Sequence, residues 1–159
     1  MAIKPYCYPG AHRLAAAALL AGFTRSELST IVGISGQETS GNVWAVGGPN
    51  PNGSYDYGAW QINMKAHQPK HPEWFNGMGL NWCSYVDNAQ MARVIYLEAG
   101  SSFRPWYGYT TGRYNTRTGP YAHSNGYSWK DWAEAGIKVM DNALSGGKSL
   151  EVVSSIYFP

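Results

Sequence analysis

The spacing of hydrophobic and polar positions along the chain predicts two helices near its start. An unbroken apolar run from Leu14 to Phe23 is rich in alanine and predicts a helix of the core. Thr24 and Glu27 then form a capping box, so a second helix is expected from about Arg25. Gly41 predicts the end of that helix, because glycine readily takes the left-handed conformation that closes a helix.

Two more helices are predicted in the second half of the chain. The third begins at about Asp87 and stops at Gly100. The fourth begins after Ser128, which forms a capping box with Asp131. The residues that share one face are Asn88, Ala92, Ile95, Tyr96 and Ala99 in the third helix, and Trp129, Trp132, Ala133, Gly136, Met140 and Ala143 in the fourth. Each helix therefore turns one side toward a common core.

The segment between the second and third helices has a different pattern. Residues 43–63 contain the apolar stretch VWAV, the turn-rich stretch GGPNPNGS and an aromatic run, which together predict a small β-hairpin or loop. Residues 64–82 and 101–127 lack a helical period, and we expect irregular loops there. The predicted fold class is α+β and predominantly α, with a single domain over residues 1–147 and a C-terminal tail over residues 148–159.

Composition and charge narrow the classes of function. The chain has 159 residues, enough for one domain with its own core. Its formal charge of +2 and the lack of a lysine and arginine cluster argue against nucleic acid as a partner. The run Leu14–Phe23 is too short to span a bilayer, so membrane insertion is not expected. That run imitates a signal peptide only loosely, and a core helix is the preferred interpretation.

The cysteines and histidines do not form a recognisable metal motif. Cys7 and Cys83 form either one disulfide or two separate thiols, and the sequence leaves both alternatives open. His67 and His71 have the i, i+4 spacing of a helical zinc motif, but Pro69 lies between them and no glutamate follows His67. We therefore expect neither a metal nor a cofactor.

Two carboxylates stand out among the ten acidic residues. Glu38 lies on the same helical stripe as Leu28 and Ile31, so it points toward the core at the end of the second helix. Asp56 lies within NGSYDYGAWQIN, residues 52–63, among aromatic and amide side chains. Glycoside hydrolysis needs one carboxyl kept protonated by apolar surroundings and a second that is ionised. The alternative is that Glu38 is a surface group and that Asp56 holds a turn.

Four stretches of the chain resemble a known family. GQETSGN at residues 36–42 and NGSYDYGAWQIN resemble the lysozyme superfamily, and DYGAWQIN is similar to the hairpin motif of animal-type lysozymes. DNAQMARVIYLEAG at residues 87–100 and PWYGYTTGRY at residues 105–114 resemble the lysozyme-like domains, of the soluble lytic transglycosylase type, of bacteriophages and actinobacteria. The resemblance covers residues 12–115 and implies a lysozyme-like fold with a β-hairpin beside the active-site cleft.

The resemblance also implies roles for individual residues. Glu38 would be the general acid that protonates the glycosidic oxygen, and Asp56 would support the oxocarbenium-like transition state or attack the anomeric carbon. The residues that would bind the substrate are Ser40, Tyr57, Gln61, Asn63, Tyr96, Trp106 and Tyr107. Trp60 is expected to pack in the core, whereas Trp106, Tyr107 and Tyr109 either stack on sugars or cover the core.

The expected function is a muramidase that cleaves the β-1,4 bond between N-acetylmuramic acid and N-acetylglucosamine in peptidoglycan glycan strands. Lytic transglycosylases typically lack an equivalent of Asp56 and form 1,6-anhydro ends, so the presence of Asp56 favours hydrolysis without deciding the question. A non-catalytic glycan-binding or virion structural module is the second alternative. The several disulfides of animal lysozymes are absent, which limits that kinship to the site.

The setting that fits this function is the bacterial cell wall. Without a convincing signal peptide, we expect a phage-encoded lysin that reaches the wall either from the host cytoplasm at lysis or as part of the virion. Phage virion or tail proteins are then further expected partners. The sequence does not decide between an endolysin and a virion-associated lysin.

Overall fold

The computed structural model describes residues 10–75 and 80–155, which form seven α-helices and three short strands. In chain order these are α1 Ala11–Leu20, α2 Arg25–Thr39, β1 Val46–Gly47, β2 Asp56–Tyr57, β3 Ile62–Asn63, α3 Met64–His67, α4 Tyr85–Glu98, α5 Tyr107–Thr110, α6 Trp129–Ser145 and α7 Leu150–Ser154. Two 3-10 helices lie at Pro72–Trp74 and Arg113–Asn115. The predicted α+β class with a predominance of helix is confirmed.

Helix α1 lies at the centre of the helical part and contacts α2, α4, α6 and α7. Its side chains at Ala11 and from Leu14 to Ala18 are fully buried, as expected for the alanine-rich run. Small side chains let the neighbouring helices approach closely, and Gly136 of α6 lies so near Ala11 that a Cβ at that position would collide with it. The core therefore surrounds α1.

Both predicted capping boxes are confirmed. The Thr24 backbone N–H donates to Glu27 Oε1 at 2.8 Å at the start of α2. At the start of α6, the Ser128 N–H donates to Asp131 Oδ2 at 2.8 Å, and the Asp131 N–H donates to Ser128 Oγ at 3.0 Å. Each box satisfies backbone donors that the first turn of a helix leaves without a partner, so these short motifs fix where the helices begin.

Helix α2 packs against α6 through a glycine. A Cβ on Gly36 would lie 2.5 Å from a ring carbon of Trp129 and 2.8 Å from one of Trp132. Helix α2 ends at Thr39, and Ser40 follows in the left-handed conformation with φ of 55°. The predicted end near Gly41 is confirmed. The close contact with two indole rings leaves α2 with a fixed position, and Glu38 lies one residue before its end.

The predicted hairpin is part of a three-stranded antiparallel sheet in the order β1–β2–β3. Gly47 pairs with Asp56, and Asp56 pairs with Asn63. The buried Asn88 of α4 joins this sheet to the helices, because its Oδ1 accepts from the Trp60 N–H at 2.9 Å and its Nδ2 donates to the Tyr57 carbonyl at 3.2 Å. The sheet is therefore fastened to the helical part at the end of β2 and in the turn that follows it.

Three segments contain more helix than predicted. Residues 64–82 include α3 and a 3-10 helix, and residues 101–127 include α5 and the second 3-10 helix. Most described residues of both segments are irregular, as expected, but the sequence did not predict these short helices, because helices of only three or four residues leave no detectable period. The segment after residue 147 contains α7, which packs on α1 and buries Val153.

Two further expectations concern membrane insertion and the pairing of the cysteines. Within the described ranges, no helix combines the length and the apolar character that a transmembrane span needs. The Cys83 thiol donates to Asn81 Oδ1 at 2.9 Å. Cys7 lies outside the described residues, so the two alternatives for the cysteine pair both stay open.

Candidate active site

Two hydroxyl groups fasten the end of α2 to the sheet. Ser35 Oγ donates to the Ala59 carbonyl at 2.8 Å, and Thr39 Oγ1 donates to the same oxygen at 2.9 Å. Ala59 lies in the turn between β2 and β3. Because Glu38 lies between Ser35 and Thr39 in sequence, these bonds hold its backbone close to the strand that carries Asp56.

Glu38 and Asp56 line a single open cleft with a volume of about 210 Å³. The other residues that line it are Gln61, Ile62, Asn63, His67, Ile95, Pro105, Trp106 and Tyr107. The cleft thus lies between the sheet on one side and the segment around α5 on the other. The structure brings together the two acids that the sequence analysis selected.

Burial raises the pKa of the Glu38 carboxyl above its usual range, and the negative charge of Asp56 raises it further. Two groups oppose this shift. The backbone N–H of Gly108 donates a hydrogen bond to the carboxylate, and the positive charge of Arg113 lies near it. The net direction is upward, so Glu38 holds its proton to a higher pH than an exposed glutamate does.

Asp56 has a polar setting. Asn50 Nδ2 donates to its Oδ2 at 3.1 Å, and Asn63 Nδ2 donates to its Oδ1 at 2.7 Å. Each carboxylate oxygen therefore accepts one amide hydrogen bond, which is the arrangement that an ionised carboxylate favours. The two acids of the cleft consequently differ in their hydrogen bonding: Glu38 accepts from one backbone N–H and Asp56 from two side-chain amides.

The amide of Asn63 has a fixed orientation. Its Oδ1 accepts from the Ala66 N–H at 2.8 Å as the N-cap of α3. Because the oxygen is used by the cap, the nitrogen faces Asp56 and Ser54, whose Oγ it contacts at 3.0 Å. Asn63 was predicted to bind sugar; it does line the cleft, and its amide nitrogen holds Asp56.

Gln61 also lines the cleft, and its amide supports the turn of the hairpin. Its Nε2 donates to the Gly58 carbonyl at 3.0 Å and to the Asp56 carbonyl at 3.3 Å. Tyr57, the next residue on β2, faces a second pocket instead, where its ring lies 5.0 Å from that of Trp82. Alternation along the strand separates Tyr57 from the cleft that Asp56 lines.

Two tryptophans lie in contact near the cleft, and only Trp106 lines it. Trp60 is fully buried and donates from Nε1 to the Ile31 carbonyl at 2.9 Å, which confirms the expectation that it packs in the core. Trp106 is 5% exposed, and its Nε1 donates to the Trp60 carbonyl at 2.9 Å. Trp106 thus lines the cleft while covering the core, and its stacking on sugars stays a prediction.

The remaining predicted sugar-binding residues are divided between the cleft and other surfaces. Tyr107 lines the cleft and is 63% exposed, as a residue that contacts substrate would be. Ser40 is exposed at the end of α2, two residues past Glu38, and is not among the lining residues. Tyr109 packs its ring against those of Phe103 and Tyr114.

Tyr96 lies away from the cleft, which corrects its expected position near the acid. Its hydroxyl is hydrogen-bonded to Glu27, at the opposite end of α2 from Glu38. The two glutamates are eleven residues apart, which corresponds to about 16 Å along a helix. The ring of Tyr96 packs against those of Phe23 and Phe103. It is a core residue with its hydroxyl at the capping box.

Three residues of the site were not predicted. Gly108 donates its N–H to Glu38, and Arg113 places its charge near the same carboxylate. Both lie in the quoted stretch PWYGYTTGRY, so the signal was present but did not single them out. His67 lines the cleft, and burial lowers its pKa, which favours the neutral imidazole. In residues 10–75 and 80–155, no group of three or more histidine, cysteine or acidic side chains could hold a metal ion.

Comparison with known proteins gives one match. A family model described as "Lysozyme like domain" matches residues 15–108, more than half of the chain. That range contains both acids of the cleft and every residue that lines it. No curated protein and no solved structure matches the chain.

Proposed function

The chain belongs to the family of lysozyme-like domains, and on that premise we propose that it is a muramidase that cleaves the β-1,4 bond between N-acetylmuramic acid and N-acetylglucosamine. Membership of the family implies peptidoglycan-lytic activity, by a glycosidase or a lytic transglycosylase. The finer assignment to a hydrolase is ours. It depends on the two carboxyl groups and on the difference between their surroundings.

Glu38 is the general acid in this proposal. It protonates the glycosidic oxygen while the bond to the anomeric carbon breaks, and its raised pKa keeps the proton available at a pH where an exposed glutamate has lost it. Asp56 then stabilises the positive charge that develops on the sugar ring, or bonds to the anomeric carbon. Water completes the reaction by adding to that carbon.

The observation that supports the proposal most strongly is the joint position of the two acids in one open cleft. Glu38 is half-buried, with one backbone donor from Gly108, whereas Asp56 accepts from two amide side chains. A glycan strand would lie between them, and a purely structural module has no need of this difference.

A lytic transglycosylase is the second candidate, and one observation favours it. Both oxygens of Asp56 already accept hydrogen bonds, from Asn50 and Asn63. An aspartate held in this way is less free to attack the anomeric carbon, and the acetamido group of the substrate would then serve as the internal nucleophile. The C6 hydroxyl of the same sugar would then displace the acetamido oxygen from the anomeric carbon and give its proton to the Glu38 carboxylate, which forms a 1,6-anhydro sugar without added water.

The test is digestion of purified peptidoglycan by the unmodified protein and by Glu38→Gln. Mass spectrometry of the released ends separates the two candidates, because an anhydro end is lighter by one water than a hydrolysed end. Hydrolysed ends from the unmodified protein, with none from the variant, are the expected result. Equal release by both proteins, or release by neither, would contradict an enzymatic role for Glu38.

The expected phage context is a separate part of this proposal. Only the resemblance of the sequence to phage and actinobacterial lysozyme-like domains supports it. We propose action on the bacterial cell wall, either as a lysin released at host lysis or as a virion component. Detection of the protein in purified virions would distinguish these two settings.

A further inference from the structure

Arg113 lies beside two exposed tyrosines next to the cleft. Its guanidinium carbon is 4.7 Å from the ring centroid of Tyr107 and 3.8 Å from that of Tyr121. Tyr107 is 63% exposed and Tyr121 42% exposed. Because Tyr107 also lines the cleft with Glu38, the surface of the cleft continues without a break onto this cationic aromatic cluster.

Arg113 forms no ion pair within residues 10–75 and 80–155, although its charge lies near Glu38. Among the described residues no carboxylate lies within 4.0 Å of it, and none of its N–H groups donates a hydrogen bond there. By contrast, Arg25, Arg93 and Arg117 each form an ion pair with an acidic side chain. Contact with ring faces leaves the in-plane donors of a guanidinium for a ligand.

The cluster of Arg113, Tyr107 and Tyr121 is attached to α2, the helix that carries Glu38. Tyr114, the next residue, is hydrogen-bonded to Thr30 of α2, and its ring lies against Gly33 of the same helix. Gly108 of α5 donates its N–H to Glu38. Arg113 is therefore fixed relative to the proposed acid by contacts on both sides of it in the chain.

We infer that Arg113, Tyr107 and Tyr121 form a subsite for a carboxylate carried by the muramyl residue of the glycan strand. The inference depends on the proposed function. N-Acetylglucosamine is neutral, whereas N-acetylmuramic acid carries a lactyl group that ends in a carboxylate or, in the wall, in a peptide with its own carboxylates. A guanidinium binds a carboxylate through two parallel hydrogen bonds, and the tyrosine rings bind the adjoining apolar atoms. The subsite thus selects peptidoglycan over a neutral polymer of N-acetylglucosamine.

The test is equilibrium binding by calorimetry in the Glu38→Gln background, where the ligand is not consumed. Three probes are compared: a peptidoglycan tetrasaccharide with its stem peptides, the same tetrasaccharide without peptides, and chitotetraose. We expect Arg113→Ala to weaken binding of at least one of the two peptidoglycan probes by roughly tenfold, as for a lost charge-assisted hydrogen bond, and to change chitotetraose binding less than about twofold. Arg113→Lys should lose less than Arg113→Ala, because it keeps the charge.

The peptide-free probe identifies which carboxylate is bound. A loss on the peptide-free probe alone assigns the lactyl carboxylate, because the stem peptide converts that carboxylate to an amide. A loss on the peptide-bearing probe alone assigns a carboxylate of the stem peptide, and a loss on both probes means that the subsite accepts either carboxylate. Arg104→Ala is the matched control, because Arg104 is an exposed arginine outside the cleft and should leave all three affinities unchanged.

Three results would overturn the inference: an equal loss on all three probes, no loss on either peptidoglycan probe, or an equal effect of Arg104→Ala. The proposed function is tested separately, by mass spectrometry of the glycan ends that the unmodified protein produces from peptidoglycan. A protein that cleaves peptidoglycan but binds the probes equally with and without Arg113 refutes the subsite alone.

Discussion

Glu38 and Asp56 line the same cleft, yet the two regions that carry them are built differently. Glu38 lies near the end of a long helix, whose position is set by close packing of Gly36 against Trp129 and Trp132. Asp56 lies on a strand of two residues, where side-chain amides rather than apolar contacts hold it. One fold thus gives its two carboxyl groups different surroundings. On the helical side, which is α2 with Glu38, close packing against α6 sets the position of the helix; on the sheet side, which is β2 with Asp56, hydrogen bonds from amides hold the carboxylate.

The largest effect is expected on the helical side of the site. Glu38→Gln removes the proton donor but keeps the size of the side chain, and we expect wall clearing to slow by about 100- to 10,000-fold. The measurement is the initial rate of turbidity loss, with a thermal unfolding curve to show that the fold is kept. If the variant clears walls at the rate of the unmodified protein, Glu38 is not the proton donor.

The next effect tests the sheet side. Asn63→Asp keeps an oxygen to cap α3 but replaces the N–H donor that faces Asp56 with a second acceptor. We expect a loss of about 10- to 100-fold in kcat/KM, because Asp56 loses a hydrogen bond and gains a repulsive neighbour.

The matched control for this variant is Asn52→Asp. Asn52 Oδ1 accepts from the Ser54 N–H at 3.0 Å, which an aspartate also does, and Asn52 makes no contact with Asp56. We expect its activity to stay within about twofold of the unmodified protein. Equal losses in both variants would mean that added charge on the hairpin, and not the Asn63 donor, is responsible.

A third effect separates stability from activity. Gly36→Ala forces a methyl group into the indole rings of α6 and should lower the free energy of unfolding by about 1–3 kcal/mol. Denaturant unfolding measures it, and Gly146→Ala is the control, since a Cβ there would lie 3.4 Å from the nearest atom. If Gly36→Ala leaves the unfolding free energy unchanged, packing is not what positions the helical side.

The smallest expected effect concerns Asp131, in the capping box at the start of α6. A hydrogen bond from Arg117 lowers the pKa of Asp131 from 3.8 to about 2, so the charged form stabilises the fold above pH 3.8 and this contribution is lost as the pH falls through about 2. Asp131→Asn should therefore cost roughly 1 kcal/mol at neutral pH, as for a lost cap, and progressively less as the pH falls from 3.8 toward 2.

Thermal unfolding of both proteins across this pH range measures the effect of Asp131. Asp141→Asn serves as the control, because the exposed pair of Asp141 and Arg25 should contribute little at any pH. A constant difference between Asp131→Asn and the unmodified protein from neutral to acid pH would contradict the assigned pKa shift.

Local signals in the sequence predicted the helical side well. Capping boxes at Thr24 and Ser128 act within one turn, so they could be identified from four residues each, and the helical period placed Glu38 on the inward stripe. The prediction of where Tyr96 lies failed, because a period gives the face of a helix but not its position relative to another helix. Tyr96 is on the inward face of α4, yet its hydroxyl meets Glu27 and not Glu38.

The sheet side was predicted only in outline. The turn residues and Asp56 indicated a hairpin. The third strand and the amide network depend on contacts between residues that are apart in sequence, such as those of Asp56 with Asn50, six positions before it, and with Asn63, seven positions after it. Gly108 and Arg113 meet Glu38 across some 70 residues of chain. No local pattern encodes such contacts, which form only when the helices pack.

Asn88 fixes how the cleft can change its width. Since this buried amide bonds to the backbone on both sides of the β2–β3 turn, swinging the sheet outward would break two hydrogen bonds in the interior at once. Any widening of the cleft that admits a polymer must then come from movement of α5, on the opposite side of the cleft. In hydrogen exchange, the Trp60 amide should accordingly be among the slowest to exchange, while those of Tyr107 to Thr110 exchange faster and slow down when glycan binds.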